Sequence, residues 1–349
     1  MHIGLLSPLS QPTPPATYGG VERVVAIHAA ELLRRGHRVS LFAAAGSELP
    51  GARLLAYGPA GIWPGRRQLL RLASLLPAAG RLDLVHSFGR SNALLPWLLR
   101  PGTPLVQTYA CPLSASTISR LDRLFRGRIS YTVPSAWMAR SFPPSSSPCA
   151  VVPNALPAEL YSPTLTAPAP GEPDRRPLAF LGRFDPCKGL HTAIEVAIAT
   201  GVPLHIAGGS FDEASRRYEA ETIDPWRGHP LLTFLGPLDD AGKQRLLAGA
   251  RALLFPISWE EPFGLVMIEA MACGTPVIAF GRGAVPEVVE EGVSGFVVAD
   301  GAAMAAAVAR LDQLERRGVH ASFLRRYAAA AVSEAYLQHY GQVCAGGAA

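Results

Sequence analysis

Short apolar runs alternate with longer stretches of helical period along most of the chain. In the first half, residues 3–7, 38–43, 83–87, 104–108 and 130–133 read as strands, being brief runs of mainly apolar residues bounded by turn signals. Residues 21–35 repeat apolar positions at helical spacing and stop at Gly36, a residue type that ends helices in the left-handed conformation. Residues 92–99 read as a further helix. A second alternation starts after residue 177. Its strands fall at 178–182, 204–207, 232–235, 252–255, 276–279 and 295–298, and its helices at 191–200, 242–250, 264–272 and 301–314. Such alternation predicts parallel sheets covered by helices. Between the two halves, residues 157–177 lose periodicity and carry Pro157, Pro163, Pro168, Pro170, Pro173 and Pro177, a linker signature.

The expected class is therefore α/β, with two Rossmann-like, doubly wound parallel-sheet domains facing a cleft and joined by a proline-rich hinge. The first spans residues 1–157 and the second 158–327. A last helix near 328–340 is expected to return to the first, so that residues from about 328 to 349 belong with it. Ligands of such sheets lie beyond the carboxyl ends of the strands, which makes the cleft the expected site.

A length of 349 residues suits two domains, and 49% hydrophobic residues can fill two cores. Charge changes the picture more. Residues 1–157 hold sixteen arginines against five acids, a net +11, while residues 158–349 hold sixteen Lys and Arg against twenty-two acids, a net −6. A basic half points to an anionic partner: a membrane surface, a phosphorylated acceptor or nucleic acid. Nucleic acid fits least, since no binding motif and few interleaved aromatics accompany the arginines. Residues 66–76 form a short basic amphipathic stretch. Packing on its own sheet is the favoured reading and contact with anionic lipid the alternative. Lys188 and Lys243 are the only lysines, which makes each conspicuous. Five scattered cysteines without a C-x-x-C pair fit reduced thiols. The N-terminus lacks a basic region before its apolar run and reads as a first strand, and no apolar run approaches the roughly 20 residues of a membrane span. A cytoplasmic protein follows, with peripheral contact at the inner face of the membrane as the variant that the basic half keeps open.

Three segments carry chemistry. In Trp259–Ala270, Pro262 and Gly264 interrupt the chain before a helix begins. The first amides of a helix lack intrahelical partners and present the positive end of the dipole, which attracts phosphate. Glu261 lies just before that helix, where a carboxylate can accept hydrogen bonds from sugar hydroxyls. Glu269 lies about one and a half turns inside and can accept from a ribose diol. In Leu181–Leu190, a strand ends at Gly182 and a helix begins after Gly189, so Arg183 and Lys188 leave the carboxyl edge of the sheet, where they can clamp a diphosphate. In Tyr18–Val24, Gly19 and Gly20 precede a helix and permit close approach of a ligand to the backbone. Gly208 with Gly209 and Gly236 follow strands and either line the site or turn the chain. No G-x-G-x-x-G, P-loop, Ser-His-Asp pattern or metal-ligand spacing of histidines is present.

These residues resemble the GT-B glycosyltransferases, specifically the large retaining family four (glycosyl transferases group 1). G-R-x-x-x-x-K-G falls at Gly182–Gly189, E-P-F-G-L-x-x-x-E-A-M-A-C-G-T-P-V-I-A at Glu261–Ala279, and the first half matches through Gly19–Arg23. The resemblance implies transfer of a hexose-type sugar from a UDP- or GDP-linked donor to a hydroxyl of a glycan, glycolipid or small molecule, with no cofactor and no metal. It implies Arg183, Lys188 and Glu261 as catalytic residues, with Glu261 on the hexose and Arg183 and Lys188 on the diphosphate. It implies donor contacts at Gly19, Gly20, Gly182, Gly208, Gly236, Phe263, Gly264, Leu265 and Glu269, the last on the ribose. The chain departs from the family where many relatives carry V-H-x-H, because Val85-His86-Ser87-Phe88 places Phe88 at the second histidine. Ala110 stands where a further histidine is common. His86, Arg90 and Tyr109 remain as acceptor-side candidates, with His86 favoured as a buried structural histidine. The alternative from another class is a sugar-nucleotide-binding protein of the same fold without transferase activity. An epimerase or phosphorylase on this plan fits less well.

Overall fold

A computed structural model describes residues 1–15, 19–166 and 174–346. Tyr18 and three prolines of the linker signature, Pro168, Pro170 and Pro173, lie outside the described residues. The chain divides into two compact units. One is Met1–Ala155 together with the C-terminal residues from Ala329 onward, and the other is Leu156–Ala328.

In the first unit the order is β1 His2–Leu6, α1 Gly20–Arg34, β2 Arg38–Ala44, β3 Arg53–Gly58, α2 Arg66–Ala79, β4 Leu84–Ser87, β5 Leu105–Thr108, α3 Ala115–Phe125, β6 Ile129–Val133, α4 Ala136–Arg140 and β7 Cys149–Val151. The second unit continues with β8 Leu178–Arg183, α5 Leu190–Thr200, β9 Leu204–Gly209, α6 Glu213–Tyr218, β10 Leu232–Gly236, α7 Asp240–Gly249, β11 Leu253–Phe255, α8 Leu265–Ala272, β12 Val277–Phe280, α9 Val285–Val288, β13 Gly295–Val298, α10 Gly301–Val308 and α11 Arg316–Arg326. The final helix, α12 Ala329–Gly346, packs on α1 of the first unit.

Both sheets are parallel and both reverse their winding once. The seven strands of the first unit lie in the order β3-β2-β1-β4-β5-β6-β7, and the six of the second in the order β10-β9-β8-β11-β12-β13. In the second sheet the reversal falls between β8 and β11, which share only the Leu253–Ala179 register position. Loops that leave two strands at a reversal run to opposite faces, so a crevice opens at their carboxyl ends. The loops concerned are those after Arg183 and after Phe255.

Several elements differ from the expectation. The edge strands β3 and β7 and helices α3, α6 and α11 are additions to the expected elements; α3 buries Ile118, Leu121 and Phe125 along one face, while β3, β7 and α11 carry little regular apolar pattern. In α11 the sequence RRGVHASFLRR places charge at both ends. Residues 91–99 form a 3-10 helix with Pro96 inside it. Helix α10 stops at Val308, and a 3-10 turn at Leu311–Gln313 follows. The division between units lies at Ala155/Leu156, ahead of the proline-rich stretch. The described part of that stretch is fastened to the second unit: Thr164 N–H donates to the Cys273 carbonyl (3.1 Å), and buried Arg316 donates to the carbonyls of Thr164 (2.5 Å), Ala250 (2.9 Å) and Ala248 (3.1 Å) and to Thr275 Oγ1 (2.8 Å). A guanidinium with five donors satisfies four oxygens here, and so holds the chain at Thr164 against the second unit.

A buried polar network holds α12 in the first unit. The Tyr340 hydroxyl lies 2.7 Å from His28 Nε2 and 2.5 Å from His86 Nδ1. His86 Nε2 lies 2.6 Å from Thr108 Oγ1, which also bonds Thr132. Phe88 packs on His86 with ring centroids 4.0 Å apart, and Tyr336 on His28 at 4.5 Å. Burial pushes His28 down to about 3, against a smaller upward pull from Glu31. Burial, then the neighbouring His28 and His339, holds His86 well below its usual value. Both rings are therefore neutral in the folded chain and protonate near 6.5 once unfolded, so the unfolded state binds more protons as pH falls below 6.5 and stability declines towards the folded values. At about pH 5 His28 contributes about 2 kcal/mol to that loss, and His86 acts in the same direction. His37, His205 and His339 are pushed the same way by burial, so the comparison with a variant is the readout. The unfolding free energy is expected to drop between about pH 7 and pH 5, above the carboxylate range, with a shallower slope in His86→Gln. Equal slopes would place the proton uptake elsewhere.

Candidate functional site

Three loops meet at the reversal of the second sheet. After Arg183 the chain turns, and Phe184 N–H donates to the Gly209 carbonyl of β9 (3.0 Å). Asp185 caps the single 3-10 turn Pro186–Lys188, accepting from Cys187 N–H at 3.0 Å. The Cys187 thiol, then that backbone bond and Arg183, whose Nη2 is 3.9 Å from Asp185 Oδ2, hold the Asp185 carboxyl below its usual value against the opposing effect of burial. Gly189 then adopts φ +73°, and a Cβ there would lie 2.0 Å from the Pro256 carbonyl oxygen. Only glycine allows the loop after β11 to pass this closely. The passage brings Lys188 against that loop. Its Nζ is 2.9 Å from Glu261 Oε2, 4.8 Å from the Trp259 ring centre and 5.9 Å from that of Phe255. Trp259 Nε1 donates to the same carboxylate oxygen at 3.0 Å.

Glu261 is 8% exposed and fixed through its backbone. Its carbonyl accepts from Ala284 N–H (2.8 Å), and Gly283, at φ +59°, lies so close that a Cβ would be 2.3 Å from that oxygen. Glu260 accepts from Gly283 N–H at 2.6 Å. Helix α8 starts directly afterwards, from Gly264, with no side-chain cap on its first amides. Buried Phe263 leaves the site to pack edge-on against Tyr327 (5.7 Å). Glu269 lies one turn into α8, and Lys243 of α7 reaches it at 3.6 Å while bonding Asp240 at 2.9 Å. The chain's two lysines thus face its two candidate glutamates. Gly208 of β9 runs against β8, where a Cβ would lie 1.8 Å from the Gly182 carbonyl oxygen, and Gly236 ends β10 in open space. Burial pushes the Cys187 thiol up to about 11, so beside this site it is no nucleophile at neutral pH. Among the described residues, no three His, Cys, Asp or Glu side chains stand together as a metal site requires.

Two family models match in tandem. Glycosyltransferase Family 4 covers residues 18–160, and Glycosyl transferases group 1 covers residues 167–331. The chain belongs to the GT-B glycosyltransferases of family four. It is 29% identical to the phosphatidyl-myo-inositol mannosyltransferase of Mycobacterium leprae, over 99% of this chain and 98% of that one. A D-inositol 3-phosphate glycosyltransferase of Mycobacterium marinum is 36% identical over 129 residues, 36% of this chain and 28% of that one. In structure the chain is similar to the sucrose-phosphate synthase of Thermosynechococcus elongatus (TM-score 0.77, 23% identity, 99% of each chain) and to Anabaena HepE in complex with UDP-glucose (TM-score 0.72, 19% identity, 98% of this chain and 100% of that one). At these identities the structural likeness speaks for the fold.

The first unit of this glycosyltransferase holds the remaining candidates. Gly19 caps α1 and Gly20 is its first residue. His86, expected on the acceptor side, is fully buried with both ring nitrogens bonded, so it has none to offer a ligand. Tyr109 is also withdrawn, its ring stacked on Tyr131 (6.1 Å). Arg90 keeps its guanidinium at the surface, 4.1 Å over the ring of exposed Trp63. The sequence alone assigns no role to Trp63, Trp259, Lys243 or Asp185. The scarcity of lysine was the one available signal for Lys243, and nothing local marks the others. Gly283→Ala is expected to destabilise the second unit by about 2 kcal/mol or more and to displace Glu261. Gly292→Ala carries a similar positive φ (+72°) with no atom within 4 Å, so it isolates the backbone strain. Equal urea midpoint shifts for the two variants would refute the tight contact at Gly283.

Proposed function

We propose that this glycosyltransferase moves a hexose, with retention, from a UDP- or GDP-linked donor bound to the second unit onto an acceptor hydroxyl. The reading rests on Lys188 and Glu261 meeting at 2.9 Å beside the uncapped start of α8, with Glu269 one turn further on. Two carboxylates flanking a cationic, amide-rich centre match a ligand with hydroxyls at both ends and phosphates between. HepE is bound to UDP-glucose in its structure, and starch synthase IV of Arabidopsis thaliana to ADP. Those are ligands of the same class.

In this reading Arg183, Lys188 and the first amides of α8 stabilise the charge that builds on the departing diphosphate, as preorganised dipoles and cations do. Glu261 holds a hexose hydroxyl and Glu269 the ribose. The bond from the anomeric carbon to the phosphate oxygen breaks, a bond to the acceptor oxygen forms on the same face, and the acceptor proton passes to a diphosphate oxygen. No protein base is required, which agrees with Phe88 and Ala110 standing where relatives carry histidines. The protein cations fill the role a metal would otherwise take.

The acceptor is proposed to carry a phosphate or to sit at an anionic surface. Helix α2 packs Leu72, Leu76 and Ala79 inward and turns Arg66, Arg67, Leu70 and Arg71 outward, close in sequence to Trp63; Leu70 is 61% and Trp63 64% exposed. Packing on its own sheet accounts for the inner face, and the outer face is the one proposed to meet an anionic surface. The names of the mycobacterial relatives point to inositol phosphates or their lipids as acceptors of those enzymes. No helix among the described residues is long and apolar enough to cross a membrane, so contact with lipid would be peripheral.

A thermal-shift screen of UDP-, GDP- and ADP-sugars identifies the donor. With that donor, Arg183→Ala and Lys188→Ala are each expected to lower kcat/KM about 10- to 100-fold. Full activity in both variants would sink the mechanism. Binding to vesicles containing phosphatidylinositol, and not to neutral phosphatidylcholine, is expected to weaken as salt rises. Salt-independent binding would remove the electrostatic argument.

A further inference from the structure

We infer that Trp259 is a positioning residue of the donor site: its indole N–H holds Glu261 while its ring backs the Lys188 ammonium. The inference rests on the donor reading above and adds a residue to it.

Glu261 has two carboxylate oxygens with different surroundings. Oε2 takes both Lys188 Nζ (2.9 Å) and Trp259 Nε1 (3.0 Å). Oε1 meets no protein donor among the described residues, which leaves it for a sugar hydroxyl. A bridge to Lys188 alone would hold the carboxylate poorly, because a diphosphate is the ligand that draws an ammonium towards itself. The indole N–H is a donor only and does not titrate, so it keeps its hold whichever way Lys188 moves. The ring serves the other partner. Lys188 Nζ lies 4.8 Å from the Trp259 ring centre and 5.9 Å from that of Phe255. Aromatic faces stabilise a cation without consuming its N–H donors. With one donor on Glu261, the ammonium keeps two for phosphate.

The backbone sets this arrangement from both sides. Ser258 N–H donates to the Cys187 carbonyl at 2.9 Å. Trp259 and Lys188 immediately follow the two residues that this bond joins, so their backbones are held side by side. Trp259 remains 37% exposed, and its replacement leaves the core intact.

The two functions of the indole separate by substitution. Trp259→Phe keeps an aromatic face and removes the N–H, whereas Trp259→Leu removes both. Calorimetric titration uses UDP against UDP-glucose, or GDP against GDP-mannose, according to the donor screen. Trp259→Phe is expected to bind the bare diphosphate as the parent does and to lose about five- to tenfold in affinity for the nucleotide sugar. Trp259→Leu is expected to weaken both ligands. Unchanged nucleotide-sugar binding in Trp259→Phe, or an equal loss for both ligands in that variant, would overturn the assignment. Glu261→Gln separates this failure from that of the donor reading. If it leaves the difference between diphosphate and nucleotide sugar intact, Glu261 does not meet the hexose, and the donor reading fails first.

Discussion

The site depends on one constraint, the reversal of strand order between β8 and β11 in the second sheet. Parallel strands on either side of a reversal send their connections to opposite faces, and the gap between those connections has no sheet beneath it to close it. Lys188 leaves one side of the gap and Glu261 the other, and the pair meets across it. Glycine at 189 and 283 lets three loops come within backbone contact, so the crevice is narrow enough for a cation and a carboxylate to touch. Neither motif could form this contact in a sheet wound in one direction only.

An ion pair this shielded is a poor source of folding stability. Desolvation offsets most of the attraction, while deleting one partner strands the other charge. Lys188 and Glu261 therefore make better sense as a site held ready for a ligand that satisfies both. Lys243 and Glu269 repeat the arrangement one turn along α8, at the longer distance of 3.6 Å. In a chain that otherwise uses arginine, both lysines are spent opposite a site glutamate. A compact ammonium with rotatable donors can transfer its bonds to an incoming ligand, whereas a guanidinium forked on a carboxylate holds its geometry.

The first unit solves a different problem. Its polar groups at the carboxyl edge of the sheet are turned inward, where Tyr340 joins His28 to His86 and through it to Thr108. Phe88 completes that packing by covering His86. A histidine at position 88 would need a partner of its own in the same space, so the departure from the family pattern and the burial of His86 are one fact. What the first unit offers outward is charge and exposed apolar surface on α2 and at Trp63 and Arg90.

These contrasts explain what could be read from the chain alone. The central strands of both sheets are brief, mainly apolar runs bounded by turn signals, and G-R-x-x-x-x-K-G and E-P-F-G-L are local in sequence, so both were legible. Edge strand β3 is half-exposed, β7 is half-exposed and only three residues long, and α11 is charged at both ends, so periodicity fails there. Arg316 looks like a surface cation until four oxygens some 40 to 150 residues away enclose it. Trp259 is the sharper case. It sits two residues before Glu261, inside the motif that drew attention first, yet its role depends on Lys188, more than 70 residues earlier. Spacing can show that a carboxylate precedes a helix. It cannot show that one of the two carboxylate oxygens is already occupied by Lys188 and Trp259.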